Sequence, residues 1–172
     1  VAFVGATGAG KTSIINVLVR FYEIESGEVL LEGVNIKEFQ LDLLRKNIAV
    51  VLQDVFLFND TIYGNISLGN TAITKEQVIE AAKNAAIHDN IMSFPNQYQT
   101  IVGERGITLS GGQKQRVSIA RALLKNPKIL IFDDCLSAVD TETEETILNN
   151  LKNETAGKTS IIVSHRVSSI KN

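Results

Sequence analysis

Four short apolar runs punctuate the chain, and segments with helical spacing separate them. "VAFV" at the start, "NIAVVLQ" (47–53), "KILIFDD" (128–134) and "TSIIVSH" (159–165) read as buried strands, the second ending at Gln53. Lys11 to about Phe21 reads as a helix with Ile14, Ile15, Leu18 and Val19 on its apolar side. "SGEVLLEGVNI" (26–36) combines a turn signal, a β-rich run and Gly33, which predicts a hairpin. From Asp54 to Lys125 the texture turns helical. "TKEQVIEAAKNAAI" (74–87) has a Thr74 cap, an acid at the third helical position with Gln77 following Glu76, and apolar spacing on one face. "SGGQKQRVSIARALLK" starts after Ser110 and runs to a stop at Asn126-Pro127. "TETEETILNNLKN" (141–153) is the last helix.

Continuous apolar strands alternating with helices predict an α/β fold, a parallel sheet with helices on both faces. The helical middle, 54–125, reads as an all-helical insertion between two halves of that sheet, 1–53 and 126–172. Composition adds limits. The 172 residues are within the range of one domain, and 44% are apolar, enough for a core. With 17 basic and 19 acidic residues, charge points to neither nucleic acid nor an anionic membrane surface. A single cysteine, Cys135, has no partner for an internal disulfide, which suits a reducing compartment. No apolar run approaches the roughly 18 residues that span a bilayer. There is no signal peptide, low-complexity tract or internal repeat. The chain begins inside one apolar run and stops soon after another, so it reads as truncated at both ends.

Chemistry enters with "GATGAGKT", Gly5 to Thr12, which fits G-x-x-x-x-G-K-[ST] between a predicted strand and a predicted helix. Its glycines let backbone N–H groups wrap a polyphosphate, and the helix N-terminus adds positive partial charge. Lys11 would reach the β- and γ-phosphates and the Thr12 hydroxyl would ligate Mg²⁺. The candidate nucleotide-binding stretch is Gly5, Ala6, Thr7, Gly8, Ala9, Gly10, Lys11, Thr12 and Ser13. No N-K-x-D motif is present, which argues against a GTPase. "LSGGQKQR" (109–116) forms a second candidate anion site: Ser110 caps a helix whose first turn, Gly111 and Gly112, has no side chains to block a phosphate. Two such sites do not easily serve one nucleotide, whereas one of them could serve a nucleotide held by a partner. Two aspartates, Asp133 and Asp134, close the apolar run "ILIF".

Taken together, these motifs resemble the nucleotide-binding domain of ABC transporters over essentially the whole chain. "GATGAGKT" is similar to the Walker A motif, "VVLQD" to the Q-loop, "LSGGQ" to the signature, "ILIFDD" to Walker B, "SAVD" to the D-loop and "SHR" to the His switch, in family order and spacing. The resemblance implies ATP and Mg²⁺ as ligands and a head-to-tail dimer of two such domains. Each ATP is then held between one domain's Walker A and the other's signature. Asp133, with Thr12 and Gln53, would hold Mg²⁺ and its water shell, and Gln53 would also contact the attacking water. His165 would contact the γ-phosphate. Ser110, Gly111, Gly112 and Gln113 would act on the partner's nucleotide, and Asp140 would sit at the dimer seam.

"VGERG" (102–106) and "QDVFLFNDTIYGNI" (53–66) resemble exporters, in which these stretches meet the coupling helices of a transmembrane domain. The implied setting is the cytoplasmic face of the plasma or inner membrane, with no nucleic-acid partner. For Phe56, Phe58 and Tyr63 taken singly, core packing is the alternative. His88 and Met92 have no evident role, and Cys135 is expected to pack.

One position departs from the family pattern. Asp134 stands where a catalytic glutamate is expected, which keeps the charge on a side chain one methylene shorter. A base withdrawn by about 1 Å predicts loss on the order of 100-fold in rate, while ATP binding survives. The expectation is a slow site; the rival is a backbone shift that restores the reach and leaves a normal ATPase. A slow site makes a heterodimer attractive, whose partner carries the full glutamate, and the sequence leaves homo- and heterodimer open. The alternatives are a nucleotide-dependent dimer clamp with little hydrolysis at its own site, and a soluble, non-transport ABC ATPase. An adenine-stacking aromatic residue, which the family carries upstream of Walker A, would precede Val1. The transported substrate is not readable from this chain.

Overall fold

The computed structural model describes residues 2–5, 9–106, 108–155 and 157–164. Four strands form one parallel sheet in the order β1 (Ala2–Val4), β6 (Thr159–Ser164), β5 (Ile129–Asp133), β4 (Ile48–Val51). Strand residues alternate between faces, so a run of apolar residues supplies two cores at once. Ala49, Val51, Leu130 and Phe132 face one core, in which Ile147 and Leu151 of α7 (Thr141–Glu154) are also buried. Ile48, Ile131 and Val163 face the other, with Ile15 and Val19 from α1 (Lys11–Leu18) and its C-terminal cap and Leu44 from α2 (Leu41–Lys46). The expected α/β sheet with helices on both faces is therefore observed.

The helical middle contributes α3 (Ile62–Ser67), α4 (Lys75–Asn84), α5 (His88–Met92) and α6 (Gly111–Leu124). Their buried faces, including Ile62, Ile66, Val78, Ile91, Val117 and Ile119, join the first of the two cores. The expected hairpin is the antiparallel pair β2 (Leu30–Leu31) and β3 (Val34–Asn35), joined through Glu32 and Gly33, both at positive φ.

Several element boundaries differ from the sequence expectation. Helix α1 ends at Leu18, not near Phe21. Arg20 takes φ 52, its N–H bonds to the Val17 carbonyl and that of Phe21 to the Asn16 carbonyl, a Schellman closure without glycine. Arg45 supports this end by donating to the Val19 and Arg20 carbonyls. On α1, Ile15 and Val19 are buried but Ile14 is 41% exposed. Strand β4 ends at Val51, leaving Gln53 beyond it. In α4 the third helical position is Gln77, not the acid. Its side chain accepts from the Thr74 N–H while the Thr74 hydroxyl accepts from the Gln77 N–H.

Candidate functional site

The strand register lines up the carboxyl ends of the sheet. Val4 lies opposite Ser164, Asp133 opposite Val163, and Val51 opposite Phe132. Gly5, Gln53 and Asp134 therefore leave the sheet along one edge, where parallel α/β sheets place their ligands. Ala6, Thr7, Gly8 and His165 lie outside the described residues.

At that edge α1 begins directly after Gly10, which caps it at φ 84, a left-handed conformation that glycine enters without the strain of a side chain. Ala9, Gly10, Lys11, Thr12 and Ser13 thus bring the α1 N-terminus to the sheet edge. The Lys11 ammonium donates to the Gly5 carbonyl at 2.7 Å, bridging the two ends of the loop. The Thr12 hydroxyl donates to Asp133 Oδ2 at 2.9 Å, across 121 residues of sequence. Asp133 is buried at the end of β5. A hydroxyl and a carboxylate converging beside a helix N-terminus form the hard oxygen set that a divalent phosphate-bound cation takes, so the residues fit Mg²⁺. Gln53 is exposed two residues past β4.

Asp134 follows at φ 46, a region that aspartate tolerates better than most residues. Its N–H donates to the Val163 carbonyl at 2.8 Å, and its carbonyl accepts from the Ser137 N–H at 3.3 Å. The backbone at this position is thus held on both sides. Cys135 is buried next to it, and burial pushes its thiol far above the ordinary range, as expected of a packing residue.

The signature stretch sits elsewhere. Ser110 caps α6 through the Gln113 N–H, and the Gln113 side chain returns a bond to the Ser110 N–H at 2.9 Å. Gly112 is required by its own surroundings. A Cβ on Gly112 would come 2.7 Å from the Ala138 carbonyl oxygen, so the D-loop of the same chain lies directly against this turn. Asp140 is exposed and caps α7, accepting from the Thr143 N–H at 2.9 Å. That bond holds its carboxyl below the usual aspartate range, with the Thr143 side chain and the charge of Arg116 adding to it. Arg116 in turn donates to the Ala86 carbonyl and to Asn90 Oδ1, tying α6 to the α4–α5 junction.

The two exporter-like stretches meet. Thr61 bridges Ile101, the Ile62 N–H donates to the Thr100 carbonyl, and the Val102 N–H to the Asp60 carbonyl. Between Gln53 and this junction, Phe56 and Phe58 stand 56% and 51% exposed with their rings edge to face at 5.1 Å. Tyr63 is half-buried and bonds the Ile73 carbonyl. His88 bonds the Tyr98 hydroxyl at 2.9 Å, and Met92 is exposed.

Three residues to which the sequence assigns no role organise these loops. Asn65, fully buried, brackets the 58–61 turn with its side-chain amide, accepting from the Phe58 N–H and donating to the Phe58 and Thr61 carbonyls. Arg121 binds Asn65 and the Phe56 carbonyl. Gln115 clasps the D-loop. Their sequence signal is weak: a polar residue on the buried face of a helix.

A parallel sheet with a glycine-capped helix N-terminus and a Thr–Asp pair at its carboxyl edge, behind the sequence G-x-x-x-x-G-K-T, defines a P-loop nucleotide-binding domain. A family model described as ABC transporter matches residues 1–137, and the chain belongs to that family. It is 50% identical over 167 residues to the ABC transporter B family member 24, mitochondrial, of Arabidopsis thaliana, covering 97% of this chain and 25% of that protein. A putative multidrug export ATP-binding/permease protein of Staphylococcus aureus is 52% identical over 170 residues, 99% of this chain and 29% of that protein. The solved structure of a bacterial Atm1-family ABC exporter with ATP bound superposes with a TM-score of 0.95 at 47% identity, covering 98% of this chain and 30% of that one. The chain thus spans less than a third of each of these relatives. Among the described residues, no helix is long and apolar enough to cross a membrane.

Proposed function

We propose that this chain is the ATP-binding and ATP-hydrolysing module of an ABC exporter, and that the site on its own phosphate loop turns over slowly. The Thr12–Asp133 pair beside the α1 N-terminus is the observation that carries the ATPase reading. Lys11 would exchange the Gly5 carbonyl for phosphate oxygens, and the first N–H groups of α1 would bind the same anion. Thr12, Asp133 and Gln53 would hold Mg²⁺, which when bound offsets the negative charge of the phosphates. Asp134 would accept a proton from the water that attacks the γ-phosphorus, releasing ADP and phosphate. His165 would contact the γ-phosphate. Ser110, Gly111, Gly112 and Gln113 would close over the nucleotide of a second such domain, with Asp140 at the seam.

Asp134 supports the slow-site reading for a reason in its backbone. Restoring the reach of a glutamate would require the main chain to move toward the nucleotide. Its N–H is held by Val163 and its carbonyl by Ser137, so such a shift would break both bonds. A partner domain with the full glutamate would make the assembly a heterodimer with one fast site, which this chain's intact signature completes. The exposed Phe56 and Phe58, beside the paired 60–62 and 100–102 segments, are suited to the coupling helices of a transmembrane domain on the cytoplasmic side of a membrane. The helical segment 54–125 would act as the unit that carries both this surface and the signature.

The test is Asp134→Glu in the full-length protein, read by single-turnover hydrolysis at saturating Mg-ATP. A rise on the order of 100-fold at this site is expected, with ATP affinity unchanged. An unchanged rate would mean that Asp134 is not limiting.

A further inference from the structure

The D-loop lies between two parts of the site. Four residues before Ala138 is Asp134, and two residues after it is Asp140. Gln115, on the second turn of α6, is 5% exposed and uses both ends of its side-chain amide on this turn. Its Nε2 donates to the Ser137 hydroxyl at 3.2 Å, and its Oε1 accepts from the Ala138 N–H at 3.0 Å. With donor and acceptor both used, the amide has one orientation, and Ala138 has one place. Gly112 adds a steric limit from the same helix, because its missing Cβ is what admits the Ala138 carbonyl. On the other side, the Ser137 N–H donates to the Asp134 carbonyl, and the Asp134 N–H bonds to β6 at Val163. A chain of contacts therefore runs from the first turns of α6, through Gln115 and Ser137, to the backbone of the residue that follows Walker B.

We infer that Gln115 is a positioning residue that locks the D-loop to the N-terminal half of the signature helix. The inference rests on the ATPase reading above and deepens it. On that reading, the α6 N-terminus closes on a nucleotide held by the partner, while Asp134 serves the nucleotide of this chain. The Gln115 clasp then makes these two half-sites parts of one rigid piece. A shift of α6 as it engages the partner's nucleotide is passed to the Asp134 backbone, and Asp140 moves with it at the seam. Gln115 itself touches neither nucleotide.

The experiment uses the full-length transporter, wild type and four variants: Gln115→Met, Gln115→Glu, Ser137→Ala and the Gln115→Met/Ser137→Ala double. Methionine keeps the shape and removes both hydrogen bonds. Glutamate keeps the acceptor for Ala138 and the length of the side chain. For Gln115→Met, kcat is expected to fall roughly 10-fold with the KM for ATP within about 2-fold, because the phosphate loop is untouched. Gln115→Glu is expected to recover most of that loss. The double variant should be no slower than Gln115→Met alone, as for groups acting through one contact. An unchanged kcat in Gln115→Met overturns the inference. So does a kcat loss that follows lowered thermal stability and disappears at a lower assay temperature. Lys11→Ala in the same background separates the two levels: if it leaves hydrolysis intact, the ATPase reading fails and takes this inference with it.

Discussion

Replacing Arg121 by methionine tests how the loop after Gln53 is held. The guanidinium donates to the Asn65 carbonyl at 2.8 Å, to Asn65 Oδ1 at 3.1 Å and to the Phe56 carbonyl at 3.1 Å, and lies 5.9 Å from the centre of the Phe58 ring. The first of these bonds matters most. Helix α3 stops at Ser67, with Leu68 in the left-handed region, so the Asn65 carbonyl is among those of the last turn that the helix itself leaves open. Arg121 fills it from a neighbouring helix. Hydrogen bonds to charged groups contribute roughly 1.5–3 kcal/mol each, and leaving a buried carbonyl unpaired costs about 1–3 kcal/mol. Burial opposes part of this, since it disfavours the charged form and lowers the Arg121 pKa. The net expectation for Arg121→Met is a loss of about 3 kcal/mol in the stability of the nucleotide-binding domain. Arg121→Lys, with one compact donor group, should lose more than half of that. Equilibrium denaturation in urea measures the loss. Limited proteolysis between Gln53 and Asp60 adds a local readout and should be faster in both variants. A change below about 1 kcal/mol with unaltered proteolysis would refute the argument, because it would show the Asn65 carbonyl to be satisfied without Arg121.

Gly112→Ala sets a Cβ 2.7 Å from the Ala138 carbonyl oxygen, and is expected to destabilise the domain by about 2 kcal/mol and to slow hydrolysis, both measurable in one purified variant. Cys135 should resist alkylation at pH 8 in the native protein and react after denaturation, as mass spectrometry of its peptide would report; equal rates would contradict its burial. Tyr98 is raised to about 12 by burial, with the charge of Asp89 adding to it. The unfolded chain gives up this proton first, so stability should fall as the pH rises from 10 toward 12, and Tyr98→Phe should remove that part of the alkaline decline.

The sequence by itself determined the class of sheet. An apolar run with no polar alternation can be buried only on both faces, and β4, β5 and β6 supply alternate residues to two cores as that requires. It also determined the helix starts at Thr74 and Ser110, because capping is local chemistry readable within a few residues. Ser110 and Thr74 cap their helices as their spacing predicts. Where an end depended on distant partners, the sequence misplaced it. Helix α1 stops early because Arg20 turns left-handed and Arg45, 25 residues away, takes its carbonyls. Only the tertiary structure decided that the Asp134 backbone is held between Val163 and Ser137, and that Gly112 must stay bare for Ala138. Nothing local marks Asn65, Gln115 or Arg121, since a polar residue on a buried helix face looks like a blemish until its partner is known. The division has one physical cause. Patterns of period two or four and caps are fixed by neighbours along the chain, whereas the partner of a buried amide or guanidinium is chosen by packing.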